Sequence, residues 1–243
     1  MELNSKKDCI LLCSHSNIFS WVQIGEWDFM DFTIKCRKPT LCPRPETEEL
    51  VEHVITQIQK DEQSTKPIHI LDVGCGTGAI GIALAREFPL AKITAIDIAP
   101  EAVELSNENA QLLQLSDDRY RAYLCSAADF SAATTKFNYI VSNPPYIPSS
   151  DMETLTPDVR EYEDFGALCG GDDGLNVVRD IVAMLPQWTC SVGNSKCTCW
   201  MEVDASHPIA IRDWIRNGIN GVKFVEYRKD LCGRDRFVRL ELS

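Results

Sequence analysis

Residues 68–73, Ile-His-Ile-Leu-Asp-Val, run straight into Gly74-Cys75-Gly76-Thr77-Gly78, and Ile80, Ile82, Ala83, Leu84 and Ala85 follow at once. An apolar strand that breaks at closely spaced glycines and resumes as a helix is a strand-turn-helix unit. The pattern repeats. Residues 92–97 predict a second strand that ends in an acid, and Ala102, Val103, Leu105 and Ala110 a helix after it. Residues 121–125 predict a weaker third strand and 137–142 a fourth. Strands alternating with helices imply an α/β fold with right-handed crossovers and a mainly parallel sheet covered on both faces.

The flanks complete this picture. Leu50, Val51, Val54, Ile55 and Ile58 predict a helix from about residue 46, with Pro45 and Thr47 as its start chemistry. A long loop with Pro148, Pro157 and Gly170-Gly171 precedes a helix through Leu175, Val178, Ile181, Val182 and Leu185. Residues 198–203 then predict a strand, 209–215 a helix, and 223–227 with 237–242 a closing antiparallel pair. Residues 1–40 have no clean period; Trp21, Trp27 and Phe29 suggest an irregular or hairpin-like lead-in to a domain spanning 41–243.

Composition narrows the function. The 243 residues carry 24 Lys+Arg against 36 Asp+Glu, a net charge of −12, which disfavours a broad cationic footprint for nucleic acid. No apolar run approaches the about eighteen residues of a membrane span. The eleven Cys lack paired C-x-x-C spacing, and the Cys190, Cys197, Cys199 cluster has no His at ligand spacing, so free thiols in a reducing compartment and no metal are expected. Lys6 and Lys7 before the apolar residues 9–13 form too short a core for a secretion signal, and Glu2 and Asp8 interrupt any transit-peptide pattern.

The chemistry sits at two strand ends. A glycine-rich turn lets backbone approach a ligand closely, although any tight βα connection can use glycine. Asp97 lies 21 residues beyond Gly76, a position from which a carboxylate accepts ribose hydroxyls; a helix N-cap or solvated strand end is the alternative. The spacing G-x-G-x-G differs from the dinucleotide pattern, and the loop opens with an acid, which suits an adenosine ligand with a cationic amino-acid tail. The pattern resembles the S-adenosylmethionine loop of class I methyltransferases. That resemblance implies cofactor contacts at Asp72, Gly74, Cys75, Gly76, Thr77, Gly78, Asp97 and Asn143, with Asp129 and Phe130 flanking the adenine; core packing is the alternative for Phe130.

At the end of the fourth predicted strand, Ser142 leads into Asn143-Pro144-Pro145-Tyr146. A Pro-Pro pair at a strand exit by itself only ends a ladder. With an amide before it and an aromatic after it, the stretch suits methylation of a planar nitrogen, whose delocalised lone pair makes it a poor nucleophile. The Asn143 side-chain oxygen and the Pro144 carbonyl are the candidate acceptors for its two hydrogens, and Pro145 and Tyr146 complete the substrate contact, the Tyr146 ring favouring the positive charge that develops on nitrogen. Alignment then carries the reaction, without a metal.

The match extends beyond these motifs. Residues 41–48 (LCPRPETE), 140–147 (IVSNPPYI), Tyr162-Glu163, Ala167-Leu168, 170–175 (GGDDGL) and 230–236 (DLCGRDR) together resemble the HemK/PrmC family, the protein-(glutamine-N5) methyltransferases that modify the Gln of the Gly-Gly-Gln motif in peptide-chain release factors. The resemblance implies a class I (Rossmann-like) S-adenosyl-L-methionine-dependent fold and a release factor as partner to a monomeric enzyme. It also implies no stable nucleic-acid or membrane binding. The eukaryotic family includes an organellar member, so a mitochondrial address is expected, with cytoplasm the alternative. Departures are Asp164 in place of Pro, the altered stretch 188–200, and a leader ahead of Gly25 too short for the family's N-terminal helical domain; residues 1–40 are expected to be its remnant in a shortened form.

Two other functions fit the second motif. Asn-Pro-Pro-Tyr also resembles the motif of enzymes that methylate amino groups of adenine or guanine in DNA or RNA, for which the acidic chain offers little recognition surface. A catalytically impaired, cofactor-binding partner protein is the third reading. An NAD dehydrogenase is disfavoured by the glycine spacing. Arg37, Lys38 and Arg44 are candidate contacts for the release factor or its RNA surroundings, and Glu163 a candidate brace for the Asn143 loop. His15, His53, His69 and His207 lie outside every motif.

Overall fold

The computed structural model describes residues 25–132, 135–189 and 197–242. The features read between residues 2 and 21, and Cys190, lie outside the described residues. The strands are β1 (Glu26–Phe29), β2 (Phe32–Lys35), β3 (Ile68–Val73), β4 (Ala91–Asp97), β5 (Tyr120–Leu124), β6 (Tyr139–Ser142), β7 (Cys197–Glu202), β8 (Val222–Lys229) and β9 (Asp235–Leu242). The helices are α1 (Pro45–Lys60), α2 (Ala79–Glu87), α3 (Pro100–Leu112), α4 (Pro157–Tyr162), α5 (Phe165–Leu168), α6 (Asn176–Trp188) and α7 (His207–Gly218), with a 3₁₀ turn at Ser149–Thr154.

Seven strands form one sheet in the order β5-β4-β3-β6-β7-β9-β8. The first five are parallel and β9 runs antiparallel to both neighbours, as the alternating pattern and the closing strand pair predict. The connections leave β3 in one direction and β6 in the other, so the topological switch point lies between these two strands. Open α/β sheets bind ligands beyond the carboxyl ends of the strands at such a point. Both sequence motifs stand there, because Val73 pairs with Ser142 in the parallel ladder.

Alternation along β3 shows why both faces are covered. Ile68 and Ile70 join a cluster with Phe29, Ile34, Leu50, Val54, Ile82 and Leu84, whereas Leu71 and Val73 face Val178, Ile181, Leu185, Ile211 and Ile215 on the other side. The β1–β2 hairpin belongs to the first cluster through Phe29, Phe32 and Ile34. Burying a side chain of that size contributes about 1.5–3 kcal/mol. Asn109 fixes the hairpin to the glycine loop: its Oδ1 accepts from the Lys35 N–H at 2.9 Å, and its Nδ2 donates to the carbonyls of Lys35 (3.0 Å) and Thr77 (2.9 Å).

The start of α1 differs from the expectation. Its N-cap is Arg44 without a side-chain cap, and Pro45 occupies the first turn as expected. The Thr47 hydroxyl is engaged elsewhere, with Glu202 at 3.1 Å.

Candidate active site

A cavity of about 420 Å³ opens at the switch point, lined by Gly74, Gly76, Asp97, Ile98, Ser126 and Asp164 among others. The loop after β3 forms its floor. Gly74, Gly76 and Gly78 carry φ of 72°, 54° and 85°, in the left-handed region that an L side chain resists. The Gly74 and Cys75 N–H groups donate to the Ile96 carbonyl at 2.8 and 3.1 Å, which ties the loop to the end of β4.

Asp97 stands at that end, facing the cavity. Its Oδ2 accepts from the Gly76 N–H at 2.9 Å and its Oδ1 from the Ala99 N–H at 3.0 Å, and each oxygen keeps a further lone-pair direction for a ligand hydroxyl. Burial raises its carboxyl above the usual range. The helix-cap alternative fails in detail, since the N-cap of α3 is Ala99.

Asp72 lies beneath the loop and is fully buried. Its Oδ2 accepts from the Gly81 N–H at 3.0 Å, while Oδ1 has no hydrogen-bond partner among the described residues. Burial pushes this carboxyl up to about 7. Cys75 and Thr77 are buried too, so their side chains support the loop from below.

Asp129 and Phe130 stand outside the cavity lining. Asp129 accepts from the Ser126 hydroxyl at 2.6 Å and is exposed. The Phe130 ring packs toward Phe137 and Trp188, with centroids at 6.3 and 6.0 Å, and its carbonyl accepts from Trp188 Nε1 at 2.9 Å. Cys125, Ser126 and Ala127 line the cavity from this segment instead.

The second motif abuts the first. A Cβ built on Gly74 would lie 3.9 Å from the Asn143 carbonyl oxygen. Pro145 lines the cavity and Pro144 is buried. The segment after α5 braces this stretch: the Ile147 N–H donates to the Leu168 carbonyl at 3.0 Å and the Gly170 N–H to the Ile147 carbonyl at 2.9 Å. Asn143 Nδ2 donates to Thr47 Oγ1 at 3.2 Å, and Tyr146 Oη to Glu202 Oε1 at 3.4 Å. Burial, with Glu202 beside it, raises the Tyr146 phenol above its ordinary value.

The remaining candidates find partners inside the fold. Glu163 is buried and both its oxygens accept from Arg44 Nη2, at 2.6 and 2.7 Å, so its brace runs to the entrance of α1. Arg37 pairs with Glu104 and Glu108, and the Lys38 ammonium lies 3.3 Å from the centre of the Tyr162 ring. His53 stacks on Trp200 at 5.4 Å, and burial lowers it to about 4. Among the described residues no three His, Cys, Asp or Glu gather as metal ligands, and no helix is long and apolar enough to cross a membrane.

Sequence reading passed over Asp164, Asp180 and Glu202 as site residues. The first two line the cavity. With Asp97 they make three carboxylates around a space of ligand size, which suits a cation, and Ile98, Ala99 and Ala127 supply apolar contact for a base. The lining therefore fits S-adenosylmethionine, a sulfonium with an adenosine body and an amino-acid tail.

A mainly parallel seven-stranded sheet with this glycine loop, carboxylate and cavity at its switch point defines a class I S-adenosylmethionine-dependent methyltransferase. Residues 47–157 match the methyltransferase small domain family. The solved ribosomal protein L11 methylase of Lactobacillus delbrueckii subsp. bulgaricus shares the fold, with a TM-score of 0.55 and 18% identity over 83% of this chain and 80% of that one. The chain is 37% identical to the release factor glutamine methyltransferase of Thermosynechococcus vestitus, over 88% of this chain and 71% of that one. It is 36% identical to the human MTRF1L release factor glutamine methyltransferase, over 90% of this chain and 66% of that one. The chain belongs to the release factor glutamine methyltransferase family, and spans about two thirds of its human relative's length.

Proposed function

We propose that this chain methylates the side-chain amide nitrogen (N5) of the Gln in the Gly-Gly-Gln motif of a peptide-chain release factor. The observation that carries the reading is that the cofactor loop and the Asn-Pro-Pro-Tyr stretch leave the sheet side by side, with Val73 paired to Ser142 in the ladder and the Ser142 hydroxyl donating to the Val73 carbonyl at 2.7 Å. When bound, S-adenosyl-L-methionine supplies a methyl group on a sulfonium and is converted to S-adenosyl-L-homocysteine. The Asp97 carboxylate holds the ribose hydroxyls, and the backbone from Gly74 to Gly78 lies against the amino-acid tail, over the side chains of Asp72, Cys75 and Thr77. Cys125, Ser126 and Ala127 flank the adenine side, in place of Asp129 and Phe130, which stand outside the cavity.

The Asn143 Oδ1 and the Pro144 carbonyl accept the two hydrogens of the substrate amide and fix its plane. The Tyr146 ring and Pro145 limit its tilt, and the ring's electron-rich face favours positive charge on the nitrogen. Orientation of this kind aligns the nitrogen for in-line displacement, in which the N–C bond forms as the C–S bond breaks, the electron pair stays on sulfur, and the nitrogen releases one of its two hydrogens as a proton to solvent.

The division into a lead-in over residues 1–40 and a catalytic domain over 41–243 belongs to the same reading. So do a monomeric state and a mitochondrial address, the latter supported by similarity to the human MTRF1L release factor glutamine methyltransferase.

The test is transfer of label from S-adenosylmethionine to a purified release factor, with DNA and RNA as competing acceptors. Label on the factor that disappears when its Gly-Gly-Gln Gln is replaced is the expected result. Label on nucleic acid alone would overturn the reading in favour of an amino-methyltransferase of bases. Cofactor binding with no transfer to any acceptor would favour the impaired partner protein.

A further inference from the structure

We infer that Glu202, at the end of β7, is a positioning residue that decides which end of the Asn143 side-chain amide faces the substrate. The inference rests on the glutamine-methylation reading and adds a residue to it.

Three elements meet in one chain of hydrogen bonds, and a fourth packs against it. Thr47 from the first turn of α1 places its Oγ1 3.1 Å from Glu202 Oε2, and Asn143 Nδ2 donates to the same Oγ1 at 3.2 Å. Tyr146 Oη reaches the other Glu202 oxygen, Oε1, at 3.4 Å. From β9, the Arg236 guanidinium stands 5.1 Å from the Tyr146 ring centre and donates to the Val203 carbonyl at 3.2 Å. Glu202 itself is 1% exposed.

The polarity of this chain follows from donor and acceptor counts. An ionised carboxylate only accepts, so the single Thr47 hydroxyl proton is committed to Glu202. The Thr47 lone pair is then left for Asn143, which must present its NH₂ end to Thr47 and turn Oδ1 away. Oδ1 is the atom that the substrate amide needs, since it has hydrogens to donate. If Glu202 is replaced by a group that donates, the Thr47 proton is released and can bond Asn143 Oδ1 instead. The Asn143 amide then presents its own NH₂ to the substrate, donor against donor. The same carboxylate holds the Tyr146 hydroxyl, so one buried group fixes both sides of the substrate amide.

A buried carboxylate costs free energy unless its surroundings repay it, and a merely structural position accepts a neutral side chain of equal size. Burial raises Glu202 to about 7. The charged groups facing it are Arg236 from β9, which lowers it, and Glu46 from α1, which raises it; Thr47 and Tyr146 lower it by donating.

The test uses the full chain with S-adenosylmethionine and a release factor, and compares Glu202→Gln, Thr47→Val, Thr47→Ser and the Glu202→Gln/Thr47→Val pair. Glu202→Gln and Thr47→Val are expected to lower kcat roughly 10- to 100-fold with cofactor affinity unchanged, and the pair no further than the worse single change. Thr47→Ser, which keeps the hydroxyl, retains activity. Wild-type kcat falls as pH drops through about 7, and that fall is absent in Glu202→Gln. The Asn143 side-chain nitrogen resonance, read without substrate, shifts in Glu202→Gln and in Thr47→Val and stays in place in Thr47→Ser.

Unchanged kcat in Glu202→Gln, or losses that multiply in the pair, would overturn the inference. Should Glu202→Gln fail to fold, the contrast between Thr47→Ser and Thr47→Val decides it by the same criteria. Wild type that transfers no methyl group to the factor would refute the proposed function, and the Asn143 resonance still decides the positioning by itself.

Discussion

Gly74 and Asn143 meet at the carboxyl ends of adjacent parallel strands, with 3.9 Å between a Cβ built on the glycine and the Asn143 carbonyl oxygen. Their neighbours Val73 and Ser142 pair in the ladder, and the Ser142 hydroxyl donates to the Val73 carbonyl at 2.7 Å. The cofactor loop and the acceptor loop therefore share one backbone frame and need no hinge to meet.

Two glycines of the loop are expected to respond differently to alanine. Both hold left-handed φ, so each change costs about 1 kcal/mol or more through the backbone alone. At Gly74 the new methyl meets ordinary contact distance, whereas at Gly78 it falls 2.7 Å from Ser106 Oγ and 2.9 Å from Tyr120 Oη. Gly78→Ala is expected to lose an additional ~1–3 kcal/mol by urea denaturation. Equal losses at the two sites would contradict the packing described.

The Arg44–Glu163 pair gives a second test. The Glu163 side chain is inaccessible to solvent and Arg44 partly exposed. Arg44→Met strands a buried carboxylate and should cost roughly 3–5 kcal/mol. Adding Glu163→Gln removes that charge and should recover much of the loss. A double variant as unstable as the single one would mean that the pair is not what holds Glu163 there.

Stability should also depend on pH through Asp72. Its folded value is raised from 3.8 to about 7, so the folded chain keeps a proton that the unfolded chain has released. This contribution is fully present below about pH 4 and is lost as pH rises through about 7, at up to ~1.4 kcal/mol per pH unit. Glu202 acts in the same direction. Urea midpoints at pH 5 and pH 8 should show wild type losing stability and Asp72→Asn losing less; equal losses would remove Asp72 from the account.

Much of this site was readable before folding, for reasons that particular residues make plain. Residues 68–73 bound β3 correctly because an apolar run meets consecutive turn glycines. Asp97 was legible as the acid that ends β4, and it lines the cavity. The hairpin-like lead-in expected from Trp27 and Phe29 is the β1–β2 pair, but its bounds were not legible, since its turn uses Met30 at φ 53°, where glycine or asparagine is usual. Phe130 was ambiguous between cavity and core, and only the position of Trp188 on α6 shows which way its ring packs. Glu202 was hidden most completely. An acid at a strand end is common, and it gains meaning only once the sheet order sets β7 beside β6.

Replacement of Asn143 by alanine removes one of the two acceptors for the substrate amide while leaving the cofactor cavity lining in place. The expected result is a fall in kcat of about 10²–10³ with S-adenosylmethionine binding retained by calorimetry. Loss of cofactor binding to the same degree would move Asn143 from the acceptor site to the donor site.

The most direct measurement is tandem mass spectrometry of a release factor incubated with the chain and S-adenosylmethionine, locating the added methyl group within the Gly-Gly-Gln peptide. A single methyl on the side-chain amide nitrogen of the Gln, absent with Asn143→Ala, is the predicted result. A methyl on any other residue, or on the Gln irrespective of Asn143, would contradict the account.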